Sequence, residues 1–259
     1  MSLKGAALGS LDDRVAIVTG GARGIGRSYC LGLAREGAVV AVADLNDPRQ
    51  VVEEIEASGG KGAIGVRVDV SDKASAHAMA REVTERYGRI DVLVNNAGYM
   101  TEATQLPFDE LEVDEWDKPF QVNVRGSWLC ASAVAATMRQ QNYGKIINIS
   151  SMTVVDGTET LVHYLSSKAA IIGLTRGLAR ELGAFNIAVN TVTPDYIPHD
   201  RDYDARQPPG QGERIIARRC IKREQIPEDM VGVVVFLAGH GSDFITGQNF
   251  AVNGGSAFL

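Results

Sequence analysis

Little in this sequence points to a metal or to a disulfide. Its 259 residues include three cysteines, Cys30, Cys130 and Cys220, odd in number and far apart, and only four scattered histidines. Such spacing fits neither a disulfide framework nor a zinc site, so no metal is expected and a reducing cytoplasm is the expected setting. Basic charge is also in short supply. Lys and Arg number 26 against 32 Asp and Glu, a formal net charge of −6, which gives no general basic surface for nucleic acid. No uninterrupted apolar run approaches membrane-spanning length, so no membrane partner is expected. The opening MSLKGAALGSLDD has no proper hydrophobic signal region, and residues 1–12 are expected to form a loose tail. The whole chain is 45% hydrophobic and 22% charged, ordinary for a globular protein and long enough to bury a substantial core.

What the sequence does have is alternation. Short β-rich runs recur: RVAIVT (14–19), AVVAVAD (38–44), AIGVRVDV (63–70), IDVLVNN (90–96), KIINIS (145–150), IAVNTV (187–192) and NFAVNG (249–254). Most are continuously apolar rather than alternating, which favours strands covered on both faces, as in a parallel sheet. Between them lie segments of helical pattern, at about 24–36, 48–58, 72–87, 112–141, 161–183 and 227–239. Strand and helix alternating without a linker predict one doubly wound α/β domain over 1–259. One segment breaks the rhythm. Residues 195–225 are polar, long and proline-containing, and predict a loop with one short helix that serves as a substrate lid.

The first strand ends in TGGARGIG, Thr19 to Gly26. Gly20, Gly24 and Gly26 stand at a strand-to-helix turn, where glycines permit the turn, let backbone approach a pyrophosphate and let helix pack on strand. Arg23, Ile25 and the helix N-terminus lie in the same stretch, and N-terminal amides attract phosphate. A glycine-rich turn alone is a weak signal; its place after the first strand strengthens it. The second strand ends in Asp44-Leu45, about 20 residues further on, where an acid accepts hydrogen bonds from ribose hydroxyls. Asp69-Val70 closes the third strand at a place that would border an adenine, with a plain strand-end turn as the near-equal alternative.

A second constellation is HYLSSK, residues 163–168. Tyr164 and Lys168 are four apart and so neighbours on one helix face, able to serve one site. Alone, such a pair is most often a surface contact. His163 points about 100° away around the helix and is expected to be structural.

Taken as a set, TGGARGIG at 19–26, NNAG at 95–98, Asn123, Ser151, Tyr164-x-x-x-Lys168 and ITGQNFAVNGG at 245–255 resemble the short-chain dehydrogenase/reductase family, over nearly the whole chain. The PFDEL…W stretch and the INISS strand are similar to bacterial NAD-dependent secondary-alcohol dehydrogenases of that family. The resemblance implies a Rossmann fold with a seven-stranded parallel sheet, helices on both faces, a nicotinamide cofactor and a homotetramer. It implies that Tyr164 is the general acid/base, Lys168 its partner, Ser151 the substrate-oxygen binder and Asn123 the holder of a proton-relay water. Asn96, Ala97 and Gly98 would border the cofactor, and Pro194 and Ile197 the nicotinamide. Ser151 is preferred to Ser150 by the family pattern alone.

The chemistry agrees. Alcohol oxidation releases a proton from oxygen and a hydride from carbon; the cofactor takes the hydride and the protein handles the proton. A tyrosine with a pKa of about 10 is a poor base at neutral pH. A cation about 5 Å away, at an effective dielectric of about 20, favours phenolate by roughly 3 kcal/mol, or about two pKa units. Met100, Met152, Thr153, Leu161 and Tyr196 lie near the motifs and suggest a moderately apolar substrate pocket.

The departures are informative. Where the family usually has Pro-Gly followed by a threonine, this chain reads TPDYIPHD, with Asp195 for the glycine and His199 near the threonine position. Arg23 resembles members that use NADP, whereas Asp44 favours NAD. The expected activity is hydride transfer between NAD and a secondary alcohol or ketone. A 3-oxoacyl-thioester (acyl-carrier-protein) reductase is the enzymatic alternative, with Arg218, Arg219, Lys222 and Arg223 as a carrier-docking cluster or, more plainly, a solvated face. A non-catalytic dinucleotide-binding sensor is the alternative of another class.

Overall fold

The computed structural model describes residues 11–100, 102–198 and 210–258. Seven strands form one wholly parallel sheet: β1 (Val15–Thr19), β2 (Val39–Asp44), β3 (Ile64–Arg67), β4 (Val92–Asn95), β5 (Gly144–Ile149), β6 (Ile187–Pro194) and β7 (Asn249–Val252), in the order β3-β2-β1-β4-β5-β6-β7. The chain moves outward from β1 through β2 to β3, then returns to place β4 on the other side of β1. That reversal opens a crevice beyond the carboxyl ends of β1 and β4, the place where doubly wound sheets bind ligands.

The continuously apolar runs are explained by burial on both faces. Along β1, Ala16 and Val18 join a core with Tyr29 and Leu33 of α1 (Gly24–Arg35) and Val234 and Leu237 of a helix near the C-terminus. Val15 and Ile17 join the opposite core, with Met79 and Val83 of α3 (Lys73–Tyr87) and Leu129 and Val134 of a helix after β4. Helix α2 (Arg49–Ala57) packs on the first side through Val51 and Ile55. Helix α3 starts at Asp72, whose carboxylate accepts the Ser75 amide at 2.7 Å, and stops at Gly88 in the left-handed conformation, φ 71°.

Several boundaries differ from expectation. The single helix expected over 112–141 is a continuous helical path in three parts: α4 (Val113–Pro119), a π-helical stretch (Phe120–Gly126) and α5 (Ser127–Gln141). Pro119 lacks an N–H to donate, and the wider register begins at the next residue. Further on lie α6 (Thr153–Asp156), α7 (Val162–Leu182), α8 (Gln211–Arg218) and α9 (Val231–Ala238), the last preceded by a 3-10 turn at Pro227–Met230. Strand β6 runs two residues past its expected end, to Pro194, because β7 pairs with it through Pro194↔Val252.

The loose tail expected over 1–12 does not include Leu11. Residues 1–10 lie outside the described residues. Leu11, however, is fully buried in the α1-side core and its amide donates to the Glu36 carbonyl at 2.8 Å, because an apolar side chain here closes the base of α1. The expected lid over 195–225 also lies partly outside the described residues; among those described, its short helix is α8.

Candidate active site

A cavity of about 1030 Å³ runs along the crevice, and one continuous surface joins the glycine turn to the Tyr164 helix. Gly20, Arg23, Gly24, Ile25, Gly26, Asp44, Leu45, Asp69, Val70, Asn96, Ala97, Gly98, Ser151, Tyr164, Lys168, Pro194 and Ile197 all line it. Asn123 stands behind that wall.

The glycines are where the chain needs them. Gly20 and Gly24 have φ of 65° and 55°, which favours glycine. A Cβ on Gly26 would collide with the Gly20 carbonyl oxygen and stand 2.5 Å from Asn96 Nδ2, so only glycine lets α1 come this close to the turn. Asn96 braces the turn from β4: Nδ2 donates to the Thr19 carbonyl at 3.0 Å and the Gly20 carbonyl at 3.1 Å, while Thr19 Oγ1 accepts the Asn96 and Ala97 amides, each at 3.1 Å. The N-cap of α1, Arg23, makes no side-chain capping bond, so the first amides of the helix face the cavity without one. This cradle fits the pyrophosphate of a dinucleotide.

Asp44 is buried at the end of β2. One carboxylate oxygen accepts the Ala22 amide at 3.0 Å; the other accepts the Asn46 amide at 2.8 Å and its side-chain nitrogen at 3.2 Å. The acid therefore ties the glycine turn to the loop after β2 and presents its charge between them. Asp69 is exposed and accepts the Ser71 amide and hydroxyl at 2.9 and 2.7 Å, a strand-end turn that also borders the cavity. Arg23 crosses the mouth to Glu102 at 3.3 Å, both side chains largely exposed.

At the other end, Tyr164 and Lys168 lie one turn apart on α7 and both are buried. Lys168 Nζ is 5.8 Å from the Tyr164 ring centre and donates to the Ile149 carbonyl at 2.9 Å. Burial lowers the Lys168 pKa to about 8. Hydrogen bonding separates the two candidate serines. Ser150 Oγ is spent on the Lys168 carbonyl at 2.9 Å, which ties β5 to α7. Ser151 Oγ accepts from Thr153 N and Oγ1 at 3.2 and 3.0 Å, which leaves its own proton for a further acceptor. Asn123 sits in the π-helical stretch, a deviation that often marks functional sites. Its Oδ1 accepts the Tyr99 amide at 2.7 Å, its Nδ2 donates to Ser167 Oγ at 2.9 Å, and Ser167 Oγ donates to the Tyr164 carbonyl at 2.7 Å. Its side chain thus joins three elements of the site, and its backbone carbonyl accepts Ser127 Oγ at 2.6 Å. His163 is fully buried on the far side, its ring nitrogens without hydrogen-bond partners among the described residues and its pKa lowered by burial.

The pocket wall contains the five residues expected from proximity, Met100, Met152, Thr153, Leu161 and Tyr196. It also contains groups that were not foreseen: Tyr99, and Gln211, Arg214, Ile215 and Arg218 of α8, whose i, i+3, i+4, i+7 spacing is the signal that puts them on one helix face. Of the basic cluster, Arg218, Lys222 and Arg223 are exposed, as a solvated face requires, and Arg219 is buried. Arg218 pairs with Asp156 at 3.1 Å, Arg223 with Asp229 at 2.6 Å, and Lys222 donates to the Ala217 carbonyl at 2.7 Å. Arg219 is buried against Asp195. Asp195 therefore brings a neutralised charge to this end of the cavity. His199 lies outside the described residues. No cluster of three metal-ligating side chains occurs among the described residues, and no helix among them is long and apolar enough to cross a membrane.

Comparison with known proteins agrees with this architecture. The family profile described as enoyl-(acyl carrier protein) reductase matches residues 20–257. A (2S)-[(R)-hydroxy(phenyl)methyl]succinyl-CoA dehydrogenase subunit from Thauera aromatica is 36% identical over 96% of this chain and 98% of its own. A 3-oxoacyl-(acyl-carrier-protein) reductase from Thermotoga maritima is 34% identical over 95% and 98%. A structure from Beutenbergia cavernae, provisionally assigned as an NAD(P)-dependent gluconate 5-dehydrogenase with NADP bound at low occupancy, superposes with a TM-score of 0.89 at 35% identity, covering 96% of this chain and 99% of that one. With a parallel seven-stranded sheet, a glycine cradle at its switch point and these matches along almost its full length, the chain belongs to the short-chain dehydrogenase/reductase family of oxidoreductases.

Proposed function

We propose that the protein transfers a hydride between NAD and a secondary alcohol or ketone, with Tyr164 as general acid/base. The observation that carries this reading is the single cavity: a dinucleotide cradle at one end, and Ser151, Tyr164 and Lys168 together at the other. When bound, the oxidised nicotinamide supplies the hydride acceptor. The chain's own residues handle the rest. Ser151 Oγ donates to the substrate oxygen. Tyr164 takes the hydroxyl proton in oxidation and returns it in reduction. Lys168 favours the phenolate and, through the Ile149 carbonyl, is held at a fixed distance from the ring. Asn123 is a positioning residue for α7 through Ser167, and its place in the π-helical stretch beside Tyr99 suits the relay-water role that the family pattern gives it.

NAD is the preferred cofactor because Asp44 places a carboxylate where NADP would carry a 2′-phosphate. Arg23, the cation of the glycine turn, pairs with Glu102. A homotetramer is supported by apolar side chains left open on α4 and α5, Val113 at 72%, Trp116 at 37% and Trp128 at 49% exposure. Three unpaired cysteines suit a cytoplasmic setting.

The likeness to the Thermotoga enzyme favours a second reading, reduction of a 3-oxoacyl thioester. The local partners of Arg218, Lys222 and Arg223 and the burial of Arg219 against Asp195 weigh against a dedicated carrier-docking cluster. The test is a screen of secondary alcohols and 3-oxoacyl thioesters with NAD(H) and NADP(H) in parallel. Alcohol-dependent NAD reduction supports the first reading and thioester-dependent NADPH oxidation the second. Tight cofactor binding with turnover of neither class would make the protein a dinucleotide sensor.

A further inference from the structure

The departure at Asp195 has a partner that the linear sequence hides. Arg219 Nε donates to Asp195 Oδ2 at 3.1 Å, and the two side chains are only 2% and 3% exposed. The guanidinium makes two more bonds, from Nη2 to the Tyr196 carbonyl at 2.8 Å and from Nη1 to the Arg223 carbonyl at 2.9 Å. The other carboxylate oxygen of Asp195 accepts the Tyr196 amide at 2.8 Å. Arg219 is also the C-cap of α8, and Gly254, in the turn after β7, lies so close that a Cβ there would stand 3.3 Å from Arg219 Cδ. One buried ion pair thus joins the end of β6, the end of α8 and the turn after β7.

Its location is what gives it a role. Pro194, Asp195, Tyr196 and Ile197 line the cavity from one side of the pair, and Gln211, Arg214, Ile215 and Arg218 line it from the other. We propose that Asp195 and Arg219 are a positioning pair that holds these two segments as one wall at the nicotinamide end of the site. This rests on the dinucleotide reading above, which puts the nicotinamide beside Pro194 and Ile197. Family members with glycine at position 195 would lack the carboxylate, and here its loss leaves a buried guanidinium without a counter-charge. Neither residue touches the reacting atoms. Both act through the backbone of Tyr196, which Asp195 holds by its amide and Arg219 by its carbonyl.

A purely structural pair and a positioning pair are told apart by ligand truncation. ADP-ribose carries the adenosine and pyrophosphate but no nicotinamide. Affinities for NADH and for ADP-ribose, together with thermal unfolding, are measured for the wild type, Asp195→Asn, Arg219→Met and the double replacement Asp195→Leu/Arg219→Met. The double variant removes both charges and so avoids the unpaired buried ion that could unfold either single one. Expected is an ADP-ribose affinity within about threefold of wild type in every folded variant and a NADH affinity weakened by about tenfold or more. Alcohol kcat/KM should fall by about 100-fold, the scale of misplacement by an ångström. The double variant should recover thermal stability without recovering NADH affinity. NADH and ADP-ribose affinities that move together, or a double variant restored in both stability and NADH affinity, would overturn the proposal. A wild type that binds neither ligand would instead remove the dinucleotide reading, and this inference with it.

Discussion

Replacing Lys168 by Met separates two consequences of one buried ammonium. The first is on the reaction. With Nζ 5.8 Å from the centre of the Tyr164 ring, a unit charge at an effective dielectric of about 20 favours phenolate by about 3 kcal/mol, or about two pKa units. Lys168→Met should therefore move the apparent pKa that governs alcohol oxidation upward by about two units, with a loss of about 100-fold in rate below it. The second consequence is on stability and has a definite sign. Burial lowers the folded-state pKa of Lys168 to about 8, below the ordinary 10.5. Between those values the unfolded chain binds more protons than the folded one, so this group's contribution to stability rises with pH across the window. The rise is at most about 3 kcal/mol, and below pH 8 the buried charge is a net cost. The variant should thus be less active but more stable near pH 7, and should lack the stability gain between pH 8 and 10.5. The assays are a pH profile of kcat with a fixed alcohol and urea unfolding over the same pH range. A rate profile that does not move would refute the electrostatic role of Lys168, and identical stability profiles would refute its burial as an ion.

Asp44→Ala should erase cofactor selectivity: the wild type is expected to favour NAD over NADP by roughly 30- to 1,000-fold in kcat/KM, from a cost of about 2–4 kcal/mol for the like-charge contact and lost hydrogen bonds. A wild type that prefers NADP, or an unchanged ratio in the variant, would show that Asp44 is not the selector. Gly26→Ala drives a Cβ into the Gly20 carbonyl, so it should cost about 1–3 kcal/mol of stability and most of the ADP-ribose affinity, read by thermal unfolding and calorimetry. Light scattering at micromolar concentration should give four times the chain mass, and Trp128→Glu, on the open face of α5, should reduce it; a wild-type monomer would contradict the tetramer.

The parts of this molecule that were legible in its sequence are those where one residue type has one physical use. Continuous apolar runs such as VAIVT need cover on both faces and so announced a parallel sheet. The spacing of Gly20, Gly24 and Gly26 announced a turn that no side chain could share, and Tyr164 and Lys168 share a face by helical period alone. What was not legible depends on which partner a group finds in space. Ser150 and Ser151 are neighbours with the same side chain; the Lys168 carbonyl beside Ser150 and Thr153 beside Ser151 distinguish them. Asn123 looks like a poor residue in a long helix until the π-helical register turns it toward Tyr99 and Ser167. Leu11 reads as tail because one leucine carries no periodicity, yet it closes the core beneath α1. The run of arginines and lysine at 218–223 suggested a shared surface, whereas its members point to four separate partners, one of them the buried Asp195.

The central claim is that one phenol carries the proton while the glycine turn and Asp44 carry the cofactor. Tyr164→Phe tests it most directly, because it removes a single oxygen from a buried ring and leaves the cradle intact. With saturating alcohol and NAD, kcat should fall by about 100- to 10,000-fold, the usual contribution of a positioned acid/base, while NADH affinity measured by fluorescence titration stays within a few-fold of wild type. A variant that binds NADH normally and retains near-normal kcat would contradict the account.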